Sequence, residues 1–244
     1  MSNNSEKETE KKDGIQTLIE TGAEIAGGAV GGALGFLAGG PIGAALLGAG
    51  GAAAAMALKH VSQEVSERLL GHREEVRIGA VLAIAAGEIR QRIENGESVR
   101  NDDFFDMKQT RRSDAEEVVE SILLKSQREP EEKKLQYMGH LLSSIAFDQK
   151  IGVHMAHQII KEAEQLTYRQ LCVLKLAVVK DSFGLRNGDY RGQKSFSIEV
   201  YQVLFECLGL YHKGYLNFGR AVVFGPTDIK PGSMTTQGLG AEIY

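Results

Sequence analysis

The feature that most constrains this chain is a long uncharged run rich in glycine. Residues 25–58 contain no Asp, Glu, Lys or Arg. Glycines at a spacing of four lie on one face of a helix and allow a second backbone to approach closely, as in membrane helix pairs. A spanning helix needs about twenty mostly apolar residues, so the run predicts a glycine zipper of membrane length. The packing glycines are Gly27, Gly31, Gly35, Gly39 and Gly43, with a second row of Gly28, Gly32 and Gly40.

Two environments could stabilise this run. Each glycine costs roughly 1 kcal/mol relative to alanine inside a helix, so the segment would be a poor helix on its own in water. A bilayer enforces helix because backbone groups must satisfy one another there. A soluble bundle could instead bury the run as a Gly/Ala-rich hairpin. We favour membrane insertion, either constitutive or triggered, and keep the buried hairpin as the alternative.

A turn is predicted near the middle of the run, at Gly39, Gly40 and Pro41. Proline removes a backbone donor and restricts the residue before it. Residues 25–40 and 42–58 would each reach about 24 to 26 Å as helices, slightly less than a ~30 Å hydrocarbon core. Lysines and arginines occur on both sides of the run. This favours a hairpin with both ends cytoplasmic over a single kinked span.

Charge and cysteine content limit the remaining functions. The 244 residues have a net charge of −4, which gives no overall basic footprint for nucleic acid. The two cysteines lie in apolar surroundings, which disfavours a disulfide framework and indicates a reducing compartment. The predicted domains are a disordered leader at 1–13, an amphipathic approach and membrane hairpin at 14–58, a helical bundle at 59–166 and a winged-helix-like domain at 167–244.

Apolar residues at three-and-four spacing predict helices in the segment that follows the run. Residues 59–95 form one long helix or two helices that break near Gly71. A Ser-x-x-Glu capping box at Ser113 predicts a helix that begins there and ends before Pro130, which opens the next one. A further helix is predicted for residues 153–165. Together these helices have the pattern of a small bundle.

The sequence changes character at Thr167, a good N-cap. Two helices, the second at about 197–210, precede strand-like pieces at 215–218 and 221–224 and a last apolar piece at 239–244. Helices followed by a small hairpin match the outline of a winged helix. The second helix contains no Lys or Arg, whereas DNA readout needs phosphate-neutralising charge. We therefore expect a protein-interaction surface and not direct nucleic-acid binding.

No enzyme, cofactor or metal site is predicted. His140, His154 and His157 do not have zinc-protease spacing, so pairing with backbone or carboxylate groups is favoured. Cys172 lies on an apolar stripe, where a buried hydrophobe is favoured over a nucleophile. The acidic residues in the segment 102–116 lack the spacing of a calcium loop and indicate a solvated linker.

The C-terminal half resembles a known family. Residues 131–137 read Glu-Glu-Lys-Lys-Leu-Gln-Tyr and lead to Leu-Leu-Ser-Ser at 141–144. Leu166-Thr167 opens the next helix, and a late Gly-Leu-Tyr segment precedes a terminal wing. Over roughly residues 110–244 this order resembles the Abi-alpha group of bacterial abortive-infection proteins. The resemblance implies a phage-defence effector that a partner sensor switches on and that acts on the cell's own membrane.

The sequence thus predicts a mainly α-helical membrane effector that forms homo-oligomers through the glycine zipper. Its partners would be the lipid bilayer and a protein sensor or regulator, and a signal from that protein would let it permeabilise or depolarise the membrane. It would lie at the bacterial inner membrane with cytoplasmic domains, or stay cytoplasmic until activated. Two alternatives remain. One is a membrane-anchored interaction or superinfection-exclusion protein that leaves the membrane intact, and the other is a soluble winged-helix adaptor with a buried Gly/Ala hairpin.

Overall fold

The structure is a computed structural model, and it describes residues 48–66, 71–193, 195–219 and 222–243. These residues are mainly helical with a small two-stranded sheet, as the sequence predicts. Backbone packing divides the chain between Ile160 and Lys161, and the parts before and after this point are called unit 1 and unit 2. The helices are α1 (Gly48–Ser66), α2 (His72–Glu94), α3 (Asp114–Gln127), α4 (Lys134–Ile145), α5 (Val153–Gln165), α6 (Tyr168–Val179), α7 (Ile198–His212) and α8 (Leu239–Glu242), and the strands are β1 (Leu216–Asn217) and β2 (Thr235–Thr236).

Two helix pairs build the core of unit 1. α2 packs along α4, and α1 packs along α3. Val81, Ala85 and Ile89 of α2 are buried at the four-residue spacing that places them on one helical face. α2 and α4 approach very closely at Gly139, where an added Cβ would lie 2.6 Å from Cγ2 of Ile84. A residue without a side chain is therefore required at this crossing.

The described residues within 59–95 form two helices, which is one of the two arrangements that the sequence allows. α1 ends at Ser66 and α2 begins at His72. The backbone amide of Gly71 donates a hydrogen bond to the carboxylate of Glu74 at 2.7 Å. This bond satisfies an amide at the start of α2 that would otherwise lack a partner within the helix.

The start of α3 is fixed by the predicted capping box. Oγ of Ser113 accepts a hydrogen bond from the amide of Glu116 at 3.2 Å, and the Glu116 carboxylate accepts one from the amide of Ser113 at 2.8 Å. Two orphan amides at the helix N-terminus are satisfied in this way. α3 ends at Gln127, before Pro130. Both predicted ends of this helix are confirmed.

The turn between α3 and α4 differs from the prediction that Pro130 opens the next helix. α4 begins at Lys134, whose Nζ lies 2.6 Å from a carboxylate oxygen of Glu129, and both side chains are almost completely buried. The other carboxylate oxygen of Glu129 accepts a hydrogen bond from the amide of Glu131 at 3.0 Å. Because breaking such a pair leaves an uncompensated charge in the core, this ion pair fixes the turn.

Arg100 holds the segment between α2 and α3 in place. Its Nη1 donates hydrogen bonds to the carbonyl oxygens of Ile145 at 3.2 Å and Ile151 at 2.8 Å. Its Nε donates to Asp102 at 2.7 Å, and its guanidinium carbon lies 4.0 Å from the ring centroid of Phe104. The hydrogen bonds from Arg100 lower the pKa of Asp102. One buried cation thus ties this segment to the end of α4 and to the turn that follows it.

The prediction of a membrane-spanning effector is contradicted by the structure. Within the residues that the structure describes, no helix is both long and apolar enough to cross a bilayer. The part of the uncharged run at 48–58 lies in α1, which continues past His60 and Glu64. Ala57, Leu58 and Val61 of this helix are buried. The membrane-permeabilising function and the transmembrane assignment are therefore wrong, because the proposed spanning segment 42–58 ends within a longer helix that carries polar and charged residues.

Unit 2 places α6 and α7 side by side. α6 begins with the predicted N-cap, since Oγ1 of Thr167 accepts a hydrogen bond from the amide of Gln170 at 3.2 Å. α7 begins after Ser197, whose Oγ accepts a hydrogen bond from the amide of Val200 at 3.4 Å. Leu204 and Leu210 of α7 are buried, as are Leu171 and Leu174 of α6. These leucines form part of the core of unit 2.

The small sheet joins two segments that are distant in sequence. β1 follows α7 directly and runs antiparallel to β2. Leu216 lies opposite Thr236, and Asn217 lies opposite Thr235. The connection between the strands includes two short 3-10 helices, at Pro226–Asp228 and Pro231–Ser233.

The predicted hairpin between 215–218 and 221–224 is wrong. Residues 222–224 are not in a strand, and the amides of Phe224 and Gly225 donate hydrogen bonds to the carboxylate of Asp228, at 2.9 and 3.2 Å. These amides are used by a side chain and cannot extend the strand pairing. The last apolar piece, at 239–244, contains the short helix α8. The composition of the pieces at 221–224 and 239–244 is typical of strands, but their described residues form none.

Candidate functional site

The residues predicted to pack in a membrane zipper lie outside the described part of the chain. They are Gly27, Gly28, Gly31, Gly32, Gly35, Gly39, Gly40 and Gly43, together with Pro41 of the predicted turn. The described surface offers a different candidate, which lies on α7 of unit 2.

The first half of α7 exposes large apolar side chains. Ile198 is 73% exposed, Phe205 58% and Tyr201 45%. Positions separated by three and four residues share one face of a helix, so these three side chains form a continuous strip, here called the α7 surface. Val200 and Val203 are also exposed, but they lie on the other side of the helix. Single exposed apolar residues are common in folded proteins, but a contiguous apolar face marks an interaction site.

Four aromatic rings form a row that leads onto the α7 surface. They are Tyr190, Phe196, Tyr201 and Phe205, and the centroids of neighbouring rings are 6.1, 6.2 and 6.4 Å apart. Phe196 and Tyr201 are stacked, with an angle of 10° between their planes. Tyr201 is therefore held between two other rings. A side chain that is already ordered loses less conformational entropy when a partner binds.

The beginning of the aromatic row is anchored to the segment that follows β1. The amide of Tyr190 donates a hydrogen bond to the carbonyl oxygen of Thr227 at 2.8 Å, and Nε of Arg191 donates to Asp228 at 2.6 Å. The hydrogen bond from Arg191, followed by the one from the amide of Phe224, lowers the pKa of Asp228 to about 2. This carboxylate is charged at neutral pH, and it joins the two segments.

The charges near the α7 surface do not suit a nucleic acid. α7 contains no Lys or Arg. The nearest arginine of α6, Arg169, donates a hydrogen bond to Gln202 at 3.1 Å, and Gln170 donates one to Glu206 at 2.7 Å. Two polar side chains that could read base edges are thus engaged within the protein. Nucleic-acid binding needs cations that neutralise phosphates and free polar groups for the bases.

Two of the three histidines considered as metal ligands are paired with separate carboxylates. Nδ1 of His140 contacts Glu88 of α2, and Nε2 of His157 lies 3.0 Å from Glu117 of α3. His154 is exposed. Over the described ranges, no three His, Cys, Asp or Glu side chains are grouped so that they could hold a metal ion.

Two acidic residues of the segment 102–116, Asp102 and Asp114, are engaged in local ion pairs. Asp102 binds Arg100, and Asp114 lies 2.5 Å from Nζ of Lys108. Arg112 contacts one glutamate of α1 and one of α3, at 3.2 and 2.6 Å. These contacts explain the charge clustering of the segment as a structural feature.

One polar contact, between His60 and Glu116, could not be predicted from the sequence. Nδ1 of His60 lies 2.6 Å from the carboxylate that also accepts the Ser113 capping bond. Burial acts to raise the pKa of Glu116, but the amide of Ser113 and the ring of His60 outweigh it, and the pKa is lowered. The two residues belong to different helices, and no local motif connects them. Their contact fastens α1 to the start of α3.

The two cysteines differ in exposure. Cys172 is exposed, so the prediction that it is a buried hydrophobe is wrong: its neighbours Leu171, Val173 and Leu174 are buried, but it lies on the opposite side of α6. Cys207 is buried, and burial raises its pKa to about 12. A thiol with such a pKa is not ionised at neutral pH and is a poor nucleophile.

A cavity in unit 1 is too small to bind a substrate. It has a volume of about 20 Å³ and is lined by apolar residues of α1, α2, α3 and α4 and of the segment that follows α2. Such a volume suits about one water molecule, and the apolar lining offers it few partners. Ligand pockets are usually more than ten times larger.

Taken together, these features define a mainly helical protein whose candidate site is an exposed aromatic surface on one helix. Comparisons of the chain with protein-family models, curated protein sequences and solved structures give no match. The similarity to the Abi-alpha group therefore stays a prediction that rests on the residues quoted above.

Proposed function

We propose that this chain is a binding protein without catalytic activity, an adaptor that holds a protein partner on the α7 surface. The observation that carries this proposal is the exposure of Ile198, Tyr201 and Phe205 on one face of one helix. Aromatic side chains bury large apolar areas and are frequent anchors at protein interfaces. The row of neighbouring aromatic rings orders two of the three anchors, Tyr201 and Phe205, before a partner binds.

Unit 2 acts in this proposal as a winged-helix-like interaction module. α7 takes the place of the recognition helix, and the connection between β1 and β2 takes the place of the wing. Val222 and Phe224 in this connection are 61% and 82% exposed. Because apolar side chains occur on both the helix and the wing, the module suits a protein partner better than a phosphate backbone.

Site-specific photo-crosslinking tests the proposal. A photoreactive phenylalanine replaces Phe205 in one variant and Phe183 in another, and both variants are irradiated in cells that express the full chain. Phe183 is the matched control, because it is the same residue type in the same unit and is 55% exposed. We expect a discrete adduct with a protein at Phe205 and none at Phe183. A second substitution, Tyr201→Asp, should abolish the adduct.

Two results would contradict the proposal. One is the absence of an adduct at Phe205, and the other is equal labelling at both positions, which would reflect exposure alone. Folding of each variant is checked by circular dichroism, since exposed substitutions usually change stability by about 0.5 kcal/mol or less. The mass of the adduct then distinguishes a second copy of the 26.5 kDa chain from another protein.

A further inference from the structure

We infer that the occupant of the α7 surface is a second copy of this chain, with the two α7 helices antiparallel across a two-fold axis at Phe205. The inference rests on the proposed function, since it names the partner of the same surface. It is carried by the order of large and small residues along the strip, by the charges at the two ends of the helix and by the apolar area that is exposed.

Large and small residues are arranged on either side of Phe205 so that two antiparallel copies of α7 would fit together. In an antiparallel pair related by a two-fold axis, positions equally distant from the axis face each other. Tyr201 lies four residues before Phe205 and Gly209 lies four residues after it, on the same side of the helix. Tyr201 therefore faces Gly209 of the partner subunit, and the two phenylalanines face each other. A large ring opposite a glycine is the arrangement of a knob in a hole.

The two parts of this contact are the ring of Tyr201 and the surface beside Gly209, and both are already formed in a single copy of the chain. Phe196 and Phe205 hold the ring of Tyr201. An added Cβ at Gly209 would meet one heavy atom, Nε2 of Gln170 at 4.0 Å, so the space beside this glycine is bordered by Gln170 of α6. Ile198 lies seven residues before the axis and faces His212 of the partner subunit, seven residues after it. The imidazole ring there can cover the apolar side chain.

The charges favour the antiparallel direction over the parallel one. Glu199 lies exposed in the first turn of α7, and Lys213 lies exposed directly after its last turn. An antiparallel pair brings each glutamate close to the lysine end of the other helix, whereas a parallel pair places glutamate beside glutamate. Exposed charges contribute little affinity but select orientation. The helix dipoles also favour the antiparallel arrangement of the two helices.

The exposed apolar area fits a weak dimer. From the exposed fractions of Ile198, Tyr201 and Phe205, each copy would bury roughly 400 Å² of apolar surface, or about 800 Å² in total. This area is below that of a stable interface and is in the range of weak, transient contacts. We therefore expect a dissociation constant in the micromolar range.

Analytical ultracentrifugation of the full chain, from about 1 to 100 µM, tests the inference. We expect a reversible equilibrium between monomer and dimer that Phe205→Asp shifts to monomer by at least tenfold in dissociation constant. Phe183→Asp is the matched control and should leave the equilibrium unchanged. A wild-type chain that stays monomeric would overturn the inference. A dimer that persists in Phe205→Asp would also overturn it, because the contact would then lie elsewhere.

A pair of complementary variants tests the register. Gly209→Leu should weaken self-association because Tyr201 of the partner subunit meets the added side chain, and Tyr201→Ala should weaken it because the knob is lost. Mixed together, the two variants should form a heterodimer more tightly than either forms a homodimer, since each contact then pairs a large residue with a small one. If mixing brings no recovery, the antiparallel register is wrong. An adduct between Phe205 and a different protein would refute the dimer but leave the proposed function intact.

Discussion

Two glycines within unit 1 should respond in opposite directions to the same substitution by alanine. At Gly139 in α4 the added Cβ would lie 2.6 and 2.7 Å from Cγ2 and Cβ of Ile84 and 3.1 Å from the carbonyl oxygen of Val81. Overpacking of this kind costs about 1–3 kcal/mol, and alanine regains about 1 kcal/mol of helix propensity. Because Ile84 is branched at Cβ and the third atom belongs to the backbone, we expect Gly139→Ala to destabilise unit 1 by about 1–2 kcal/mol.

Gly87 in α2 provides the matched control. An added Cβ there meets no atom within 4 Å, so alanine only removes backbone entropy from the unfolded chain. Gly87→Ala should therefore stabilise unit 1 by about 0.5–1 kcal/mol. The free energies of unfolding of the two variants should differ by about 1.5–3 kcal/mol, with opposite signs relative to the wild type, although both place alanine inside a helix.

Urea denaturation, combined with hydrogen exchange of the amides in α2 and α4, measures both free energies. Exchange assigns the change to unit 1 even when the two units unfold separately. A double variant with Ile84→Ala completes the test, because the truncation should cost less in the Gly139→Ala background than in the wild type. If Gly139→Ala is as stabilising as Gly87→Ala, the close crossing of α2 and α4 is incorrect.

Three further perturbations follow from buried or paired groups. Lys134→Met removes the cation from a buried ion pair and should destabilise unit 1 by about 3–5 kcal/mol in denaturation experiments. A thiol reagent at about pH 8 should label exposed Cys172 in the folded protein, whereas Cys207, with its pKa raised to about 12 by burial, should react only on unfolding; equal rates would contradict its burial. The pKa of Asp228 is lowered to about 2, so its stabilising contribution is present above its unfolded pKa of about 3.9 and is lost as the pH falls through about 2. Arg191→Gln should raise this pKa and make unit 2 less sensitive to acid, and an unchanged NMR titration of the carboxyl group would contradict the pairing.

The elements that sequence analysis predicts correctly are those whose signals are local. Ser113 and Thr167 open helices because their side chains accept hydrogen bonds from amides three residues later, and both capping boxes are present in the structure. The α5 helix at 153–165 also agrees, since its apolar periodicity lies within one segment. Such signals depend on residues that are close in sequence. A helix can be predicted from these local signals without knowing which residues pack against it.

The features that sequence analysis misses depend on contacts between distant residues. Arg100 is separated by 45 and 51 positions from the carbonyl oxygens that it binds, and His60 by 56 positions from Glu116. The strand partner of Leu216 is Thr236, because the amides of the nearer candidate segment are used by Asp228. A pattern of apolar residues predicts that a segment is buried or paired. The pattern does not identify the distant segment that packs or pairs with it.

The α7 helix shows why the candidate site was visible in the structure and only partly in the sequence. Apolar residues occur throughout it, which by composition alone is typical of a core helix. In the structure, Leu204, Cys207, Leu208 and Leu210 are buried, whereas Ile198, Tyr201 and Phe205 are not. The two sets differ little in hydrophobicity, so only the neighbours of α7 in unit 2 decide which set is covered. Since leaving three large apolar side chains in water has a cost in solubility and contributes nothing to folding, their retention on one face is best explained by a partner that covers them.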